Sequence, residues 1–160
     1  MSVAHWTRIR RFWLAPLLVF IAPGAWSGDT SVLTDDDVAQ TLAGGETGVF
    51  YAWSPHMPLS VDGLGEILAA GKRMGISVMP VLSSHANVEY ARDRAGHLDL
   101  PDGFFRRCLS AELEQRDFNV HAPAILVFDA GRFISPVIPG FRYAADYEAL
   151  IGRFLASARQ

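Results

Sequence analysis

The chain has 160 residues, 50% of them hydrophobic and 19% charged, which fits one globular domain and excludes a disordered chain. Its formal net charge is −3, so it has no basic surplus to hold a phosphate backbone and nucleic acid is not an expected partner. Cys108 is its one cysteine, so no disulfide can form within the chain and stability must come from the core.

In chain order, Arg8, Arg10 and Arg11 precede the uncharged apolar run "FWLAPLLVFIAPGAW". Ala25 and Ser27 then offer small residues at the −3 and −1 positions of a cut after Ser27. Basic, apolar, small is the order of a secretory signal peptide. The alternative, an uncleaved membrane anchor, needs about 20 apolar residues. This run is shorter and is interrupted by Pro16 and Pro23. Residues 1–27 are therefore expected to be a signal peptide, residues 28–45 an N-terminal extension with a helix, and residues 46–160 the main domain. The expected location is periplasmic or secreted. Cleavage would remove three arginines and no acid, taking the net charge from −3 to about −6. No basic amphipathic stretch marks a membrane surface.

"TDDDVAQTLAGG" predicts a short helix, with Thr34 as N-cap, three aspartates at the positive end of the dipole and Gly44-Gly45 as the stop. "GVFYAW", residues 48–53, predicts a buried strand. "LSVDGLGEILAAGKRMG" predicts a helix with Val61, Leu64, Ile67 and Leu68 on one face, weakened at Gly63 and Gly65. "ISVMPVLS", residues 76–83, predicts a strand. Pro80 places it at a sheet edge or a bulge, since proline has no N–H for a ladder. "ANVEYARDRAG" and "DGFFRRCLSAELEQRD" predict two helices split by "HLDLP". "PAILVF" is the third strand, residues 129–131 a turn, and "RFISPVI" a fourth strand. "ADYEALIGRFLASA" closes the chain as a helix with Tyr147, Leu150, Ile151, Phe154 and Leu155 on one face.

The first half is a βαβ unit, which requires a parallel pair with a right-handed crossover. The second half is a hairpin followed by a helix, which requires an antiparallel pair. The expected class is α/β, a mixed four-stranded sheet with helices on both faces.

Two stretches carry a resemblance. "VFYAWSPHM" is similar to the strand and active-site turn of thioredoxin-like proteins, where an aromatic residue precedes Cys-x-x-Cys. Trp53 takes the aromatic place, Ser54 the first cysteine and Met57 the second, while Pro55 and His56 are the pair found between the cysteines of periplasmic disulfide-introducing oxidoreductases. "APAILVFDAGR" resembles the second hallmark, with Pro123 in the cis-proline place. The resemblance covers roughly residues 46–158 and implies a thioredoxin-like fold. "YAWSPHMPLSVDGLGEILAAGKRMGISVMPVL" also resembles one βαβ unit of cysteine-free thioredoxin-like proteins of conjugative pilus assembly.

The chain departs from the pattern where the chemistry lies. A cysteine at a helix N-terminus attacks a disulfide as a thiolate, and a second thiol resolves the mixed species. Ser54 and Met57 replace both, so catalysis of thiol–disulfide exchange at this turn is not expected. Ser54 would need a positioned base to act as a nucleophile. His56, two residues on, does not face it on a helix start, so N-cap is the expected role of Ser54.

Three readings follow. The first is an exported, redox-inactive, non-enzymatic domain without cofactor, which binds an envelope protein or extended peptide segment. Its surface would comprise Trp53, Ser54, Pro55, His56, Met57, Pro58, Ala122 and Pro123, with Phe141 adding apolar area. The second is copper carriage through His56, Met57 and His121, since imidazole and thioether suit Cu(I). His85 and His97 show no ligand spacing. The third is a thiol-redox role for Cys108, whose pKa Arg106 and Arg107 would lower were it exposed. The contrary expectation is a buried, inert thiol.

Overall fold

The computed structural model describes residues 31–160. The expected signal peptide, residues 1–27, lies outside the described residues. In chain order the elements are β1 (Val32–Leu33), α1 (Asp35–Ala43), β2 (Gly48–Trp53), α2 (Pro58–Met74), β3 (Ser77–Leu82), α3 (Val88–Ala95), β4 (Arg107–Cys108), α4 (Ala111–Glu114), β5 (Ala124–Asp129), β6 (Arg132–Phe133), β7 (Ile138–Pro139) and α5 (Ala144–Ala158).

The sheet order is β1-β4-β3-β2-β5-β6, with β7 also pairing β5. β2 pairs parallel with β3 and antiparallel with β5. The expected four-stranded mixed sheet is present as β3, β2, β5 and β6, but the whole sheet has seven strands. β1 and β4 add a parallel pair on one flank. At the other, "RFISPVI" splits into β6 and β7. Ile134 N–H still donates to Val127 C=O at 2.9 Å. The Ser135 hydroxyl then takes the Val127 N–H at 2.9 Å, and Pro136 follows with no N–H of its own.

β2 is buried along its whole length. Its alternation divides the core in two. Val49, Tyr51 and Trp53 face Leu64 and Ile67 of α2 and Tyr147 and Ile151 of α5. Phe50 and Ala52 face Val38 of α1, Leu113 of α4 and Phe118. Helices therefore cover both faces, as expected. Thr34 caps α1 in a reciprocal box with Asp37, as its sequence predicts.

Pro80 sits opposite Tyr51 in the β2–β3 ladder. Ser77 and Ser83 donate N–H bonds to Thr47 and Trp53 of the β2 side. By the two-residue period Pro80 faces the other way, where β4 reaches β3 only at Leu82. Its missing N–H therefore breaks no ladder bond.

The predicted helix over "DGFFRRCLSAELEQRD" is corrected. The chain makes a short 3-10 turn at Asp102–Phe105, strand β4, and the four-residue α4. Phe105 belongs to one core and Cys108 to the other. Residues three apart on a helix share a face, so an extended crossing is what places these two on opposite sides of the sheet. Leu82 N–H to Arg106 C=O, 2.8 Å, and Arg107 N–H to Ser31 C=O, 2.9 Å, hold the crossing.

Candidate binding surface at the carboxyl end of the parallel strands

β2 and β3 end on the same side of the sheet, at Trp53 and Leu82. β5 begins on that side, since Ala52 stands opposite Ala124. The turn after Trp53 and the segment before Ala124 are neighbours for this reason.

Trp53 was expected on the surface. It is fully buried, edge-on to Phe105 with centroids 6.0 Å apart, because strand alternation points it into the α2 face. Pro55 is buried as well, whereas His56, Met57 and Pro58 are exposed and Ser54 is half-buried.

Ser54 is not the helix N-cap. That place belongs to Met57, with Pro58 as the first helical residue. Residues 54–57 form a turn closed by Met57 N–H to Ser54 C=O at 3.2 Å. Pro58, with no N–H to satisfy and its φ already helical, starts α2. The Ser54 N–H donates to Ser60 Oγ at 2.9 Å, and its own hydroxyl accepts from His56 N–H at 3.4 Å. The hydroxyl therefore lies ahead of the first helical turn, where the dipole acts.

The His56 ring stacks on Tyr90 with centroids 5.0 Å apart. Tyr90 is placed by Asn87, whose side chain caps α3 by accepting the Tyr90 N–H at 2.9 Å. Leu59, Tyr90 and Tyr143 belong to this end and were missed from sequence. Their exposure depends on what packs beside them, which no local pattern reveals. Tyr143 is 65% exposed, Leu59 57% and Met57 45%.

The Ala122–Pro123 bond is cis, as the resemblance implied. Pro123 is buried and its C=O accepts from Gly140 N–H at 2.8 Å. Ala122 is half-buried, and its N–H and C=O make no hydrogen bond among the described residues. Beyond Gly140, Phe141 packs over Gly63 and meets Tyr143 edge-on at 5.2 Å. Glu66 ties this loop to α2 by accepting the Ala144 N–H at 2.8 Å. Ala122 therefore presents unpaired backbone groups next to Pro123, which Gly140 N–H links to the loop carrying Phe141 and Tyr143.

Of the proposed copper ligands, His56, Met57 and His121 are all exposed, and one face of the His56 ring stacks on Tyr90. No group of three His, Cys, Asp or Glu that could hold a metal occurs among the described residues.

Cys108 is buried in β4. Burial pushes its thiol pKa up, partly offset by hydrogen bonds from the Ser110 backbone and the Asn119 side chain. Lowering by Arg106 and Arg107 was conditional on an exposed thiol, and the thiol is buried. Arg106 Nε donates to Val32 C=O at 2.8 Å, and its guanidinium pairs with Asp37.

No family model matches the chain, and no curated protein matches it. Solved structures do. A thiol:disulfide interchange protein of the thioredoxin family from Chlorobium tepidum TLS superposes with a TM-score of 0.52 at 18% identity, over 73% of this chain and 84% of that one. The fold is thioredoxin-like. Two further structures superpose with lower scores. A secreted Mycobacterium tuberculosis disulfide oxidoreductase homologous to E. coli DsbE gives 0.46 at 17% identity, over 70% of this chain and 82% of that one. The N-terminal domain of PilB from N. meningitidis gives 0.49 at 15% identity, over 77% and 92%. Within this thioredoxin-like chain the single cysteine lies in β4, so the turn holds no thiol pair. Among the described residues no helix is long and apolar enough to cross a membrane.

Proposed function

We propose that the protein is an exported, non-catalytic recognition domain that binds an extended segment of another envelope protein along Ser54–Pro58 and Ala122. The observation that carries this reading is half-buried Ala122, whose N–H and C=O make no hydrogen bond among the described residues, at the end of the sheet that also carries the turn with exposed Met57. An extended backbone can supply both missing hydrogen bonds, and its side chains the apolar cover. Thiol chemistry at the turn lacks its nucleophile: the Ser54 hydroxyl has no positioned base and stands ahead of the helix start. The "HWTRIRR" and "FWLAPLLVF" stretches support export.

Residues 28–160 should show no turnover above blank in a protein-disulfide reduction assay. In 15N NMR, short Ser- and Val-rich extended peptides should shift the Ala122 amide. Residues 1–27 fused to a reporter enzyme active only outside the cytosol should yield activity. Measurable reductase turnover, or no peptide that moves Ala122, overturns the reading.

A further inference from the structure

A second feature lies at the same end of the sheet. Beyond β3 and β4 there is a cavity of about 290 Å3 lined by Ser84, His85, Cys108, Ser110, Glu114 and Asn119, with exposed Leu109 at its rim. Its volume lies at the lower end of the roughly 300–1,000 Å3 of small-molecule pockets, enough to admit one side chain. It also adjoins the surface described above. Ser83 N–H bonds Trp53 C=O at 3.0 Å, and Asn119 stands three residues before Ala122, at most about 10 Å along the chain.

The lining is rich in acceptors. Asn119 Oδ1 is buried with no hydrogen-bond partner among the described residues, an unfavourable state for a polar atom out of water. The Glu114 carboxylate forms no ion pair among the described residues. The Ser110 hydroxyl is already spent, donating to Asp35 at 2.5 Å and accepting from Leu113 N–H at 3.2 Å. We propose that this cavity receives the guanidinium or ammonium group of a basic side chain carried by the extended segment that crosses Ala122. This rests on the recognition reading above and names the chemistry of its partner. A cationic N–H donor satisfies Asn119 Oδ1 and neutralises Glu114, whereas an anion meets a carboxylate and an apolar side chain leaves the amide oxygen unpaired.

The test is 15N NMR of residues 28–160 with agmatine, a bare guanidinium, and with two extended Ser- and Val-rich peptides that differ at one position, arginine against norleucine. The expected result is that agmatine and the arginine peptide shift the Asn119 side-chain amide and the Cys108 amide. Both peptides shift Ala122, and the arginine peptide binds more tightly. Exposed Glu114 permits Glu114→Gln, which should weaken the arginine peptide by up to about fivefold and leave the norleucine peptide unchanged. Equal binding of the two peptides with Asn119 unmoved overturns the cavity assignment and leaves the recognition surface standing. Agmatine moving Asn119 while no peptide moves Ala122 overturns the peptide source, and the cavity is then a site for a free guanidinium or amine. No shift by any probe overturns both.

Discussion

Arg106 shows how one side chain holds three elements together. It is 6% exposed, and it joins β4, where its neighbours pair, to the Val32 carbonyl of β1 and the Asp37 carboxylate of α1. Asp37 is at the same time the acceptor for Thr34 N–H in the α1 capping box, at 2.8 Å. Truncation leaves a partly buried carboxylate without its counter-charge, so Arg106→Ala should lower the unfolding free energy by about 3–5 kcal/mol. The control is Arg73→Ala, which breaks an ion pair to Glu148 between side chains 53% and 33% exposed and should cost no more than about 1 kcal/mol. Urea denaturation of both variants checks the contrast; equal losses would contradict it. The arginine pair at 106–107 was visible in sequence as a modifier of Cys108, but its real partner lies 69 residues away, beyond any local pattern.

At the scale of elements, α2 tests the reading of its two glycines as weak points. A Cβ on Gly63 would stand 2.3 Å from Tyr51 Oη, and that hydroxyl is fixed by donating to Ser60 C=O at 2.9 Å. A Cβ on Gly65 would meet only Leu98 Cδ2 at 3.4 Å, an ordinary contact. Gly→Ala in a helix interior gains up to about 1 kcal/mol of propensity, whereas overpacking a core costs about 1–3. Gly65→Ala should therefore stabilise the protein and Gly63→Ala destabilise it by about 1 kcal/mol, measured as opposite shifts of the thermal midpoint. Sequence periodicity located the apolar face of α2 correctly through Val61, Leu64 and Ile67, all buried. It could not separate the two glycines, because the difference is set by Tyr51 of β2.

For the molecule as a whole, three buried acids set the alkaline limit. Burial raises the pKa of Cys108, Tyr51 and Tyr147. Unfolded cysteine and tyrosine titrate near ~8.5 and ~10. Below about pH 8.5 these groups are neutral in both states and stability does not depend on them. Above it the unfolded chain loses first the thiol and then the phenol protons while the folded chain keeps them, so stability falls as pH rises. The urea midpoint should hold from neutral pH to about 8.5 and decline beyond it. In Cys108→Ala the decline should begin only near pH 10. A wild-type midpoint unchanged between those values would contradict the buried, neutral thiol.

The strand–helix–strand alternation, the Thr34 cap, the α2 and α5 faces and the turn at residues 129–131 were legible because each rests on contacts within a few residues or on a fixed period. The missing thiol pair was legible too, since chemistry at the turn needs atoms that Ser54 and Met57 do not have. Tertiary structure decided what faces what. It buried Trp53, turned the expected Cys108 helix into a strand between two cores, and set His56 on Tyr90. It also left Ala122 unpaired and opened the cavity beside it. Each of these depends on a partner distant in sequence, and in a packed interior the partner determines whether a side chain becomes core, cap or surface.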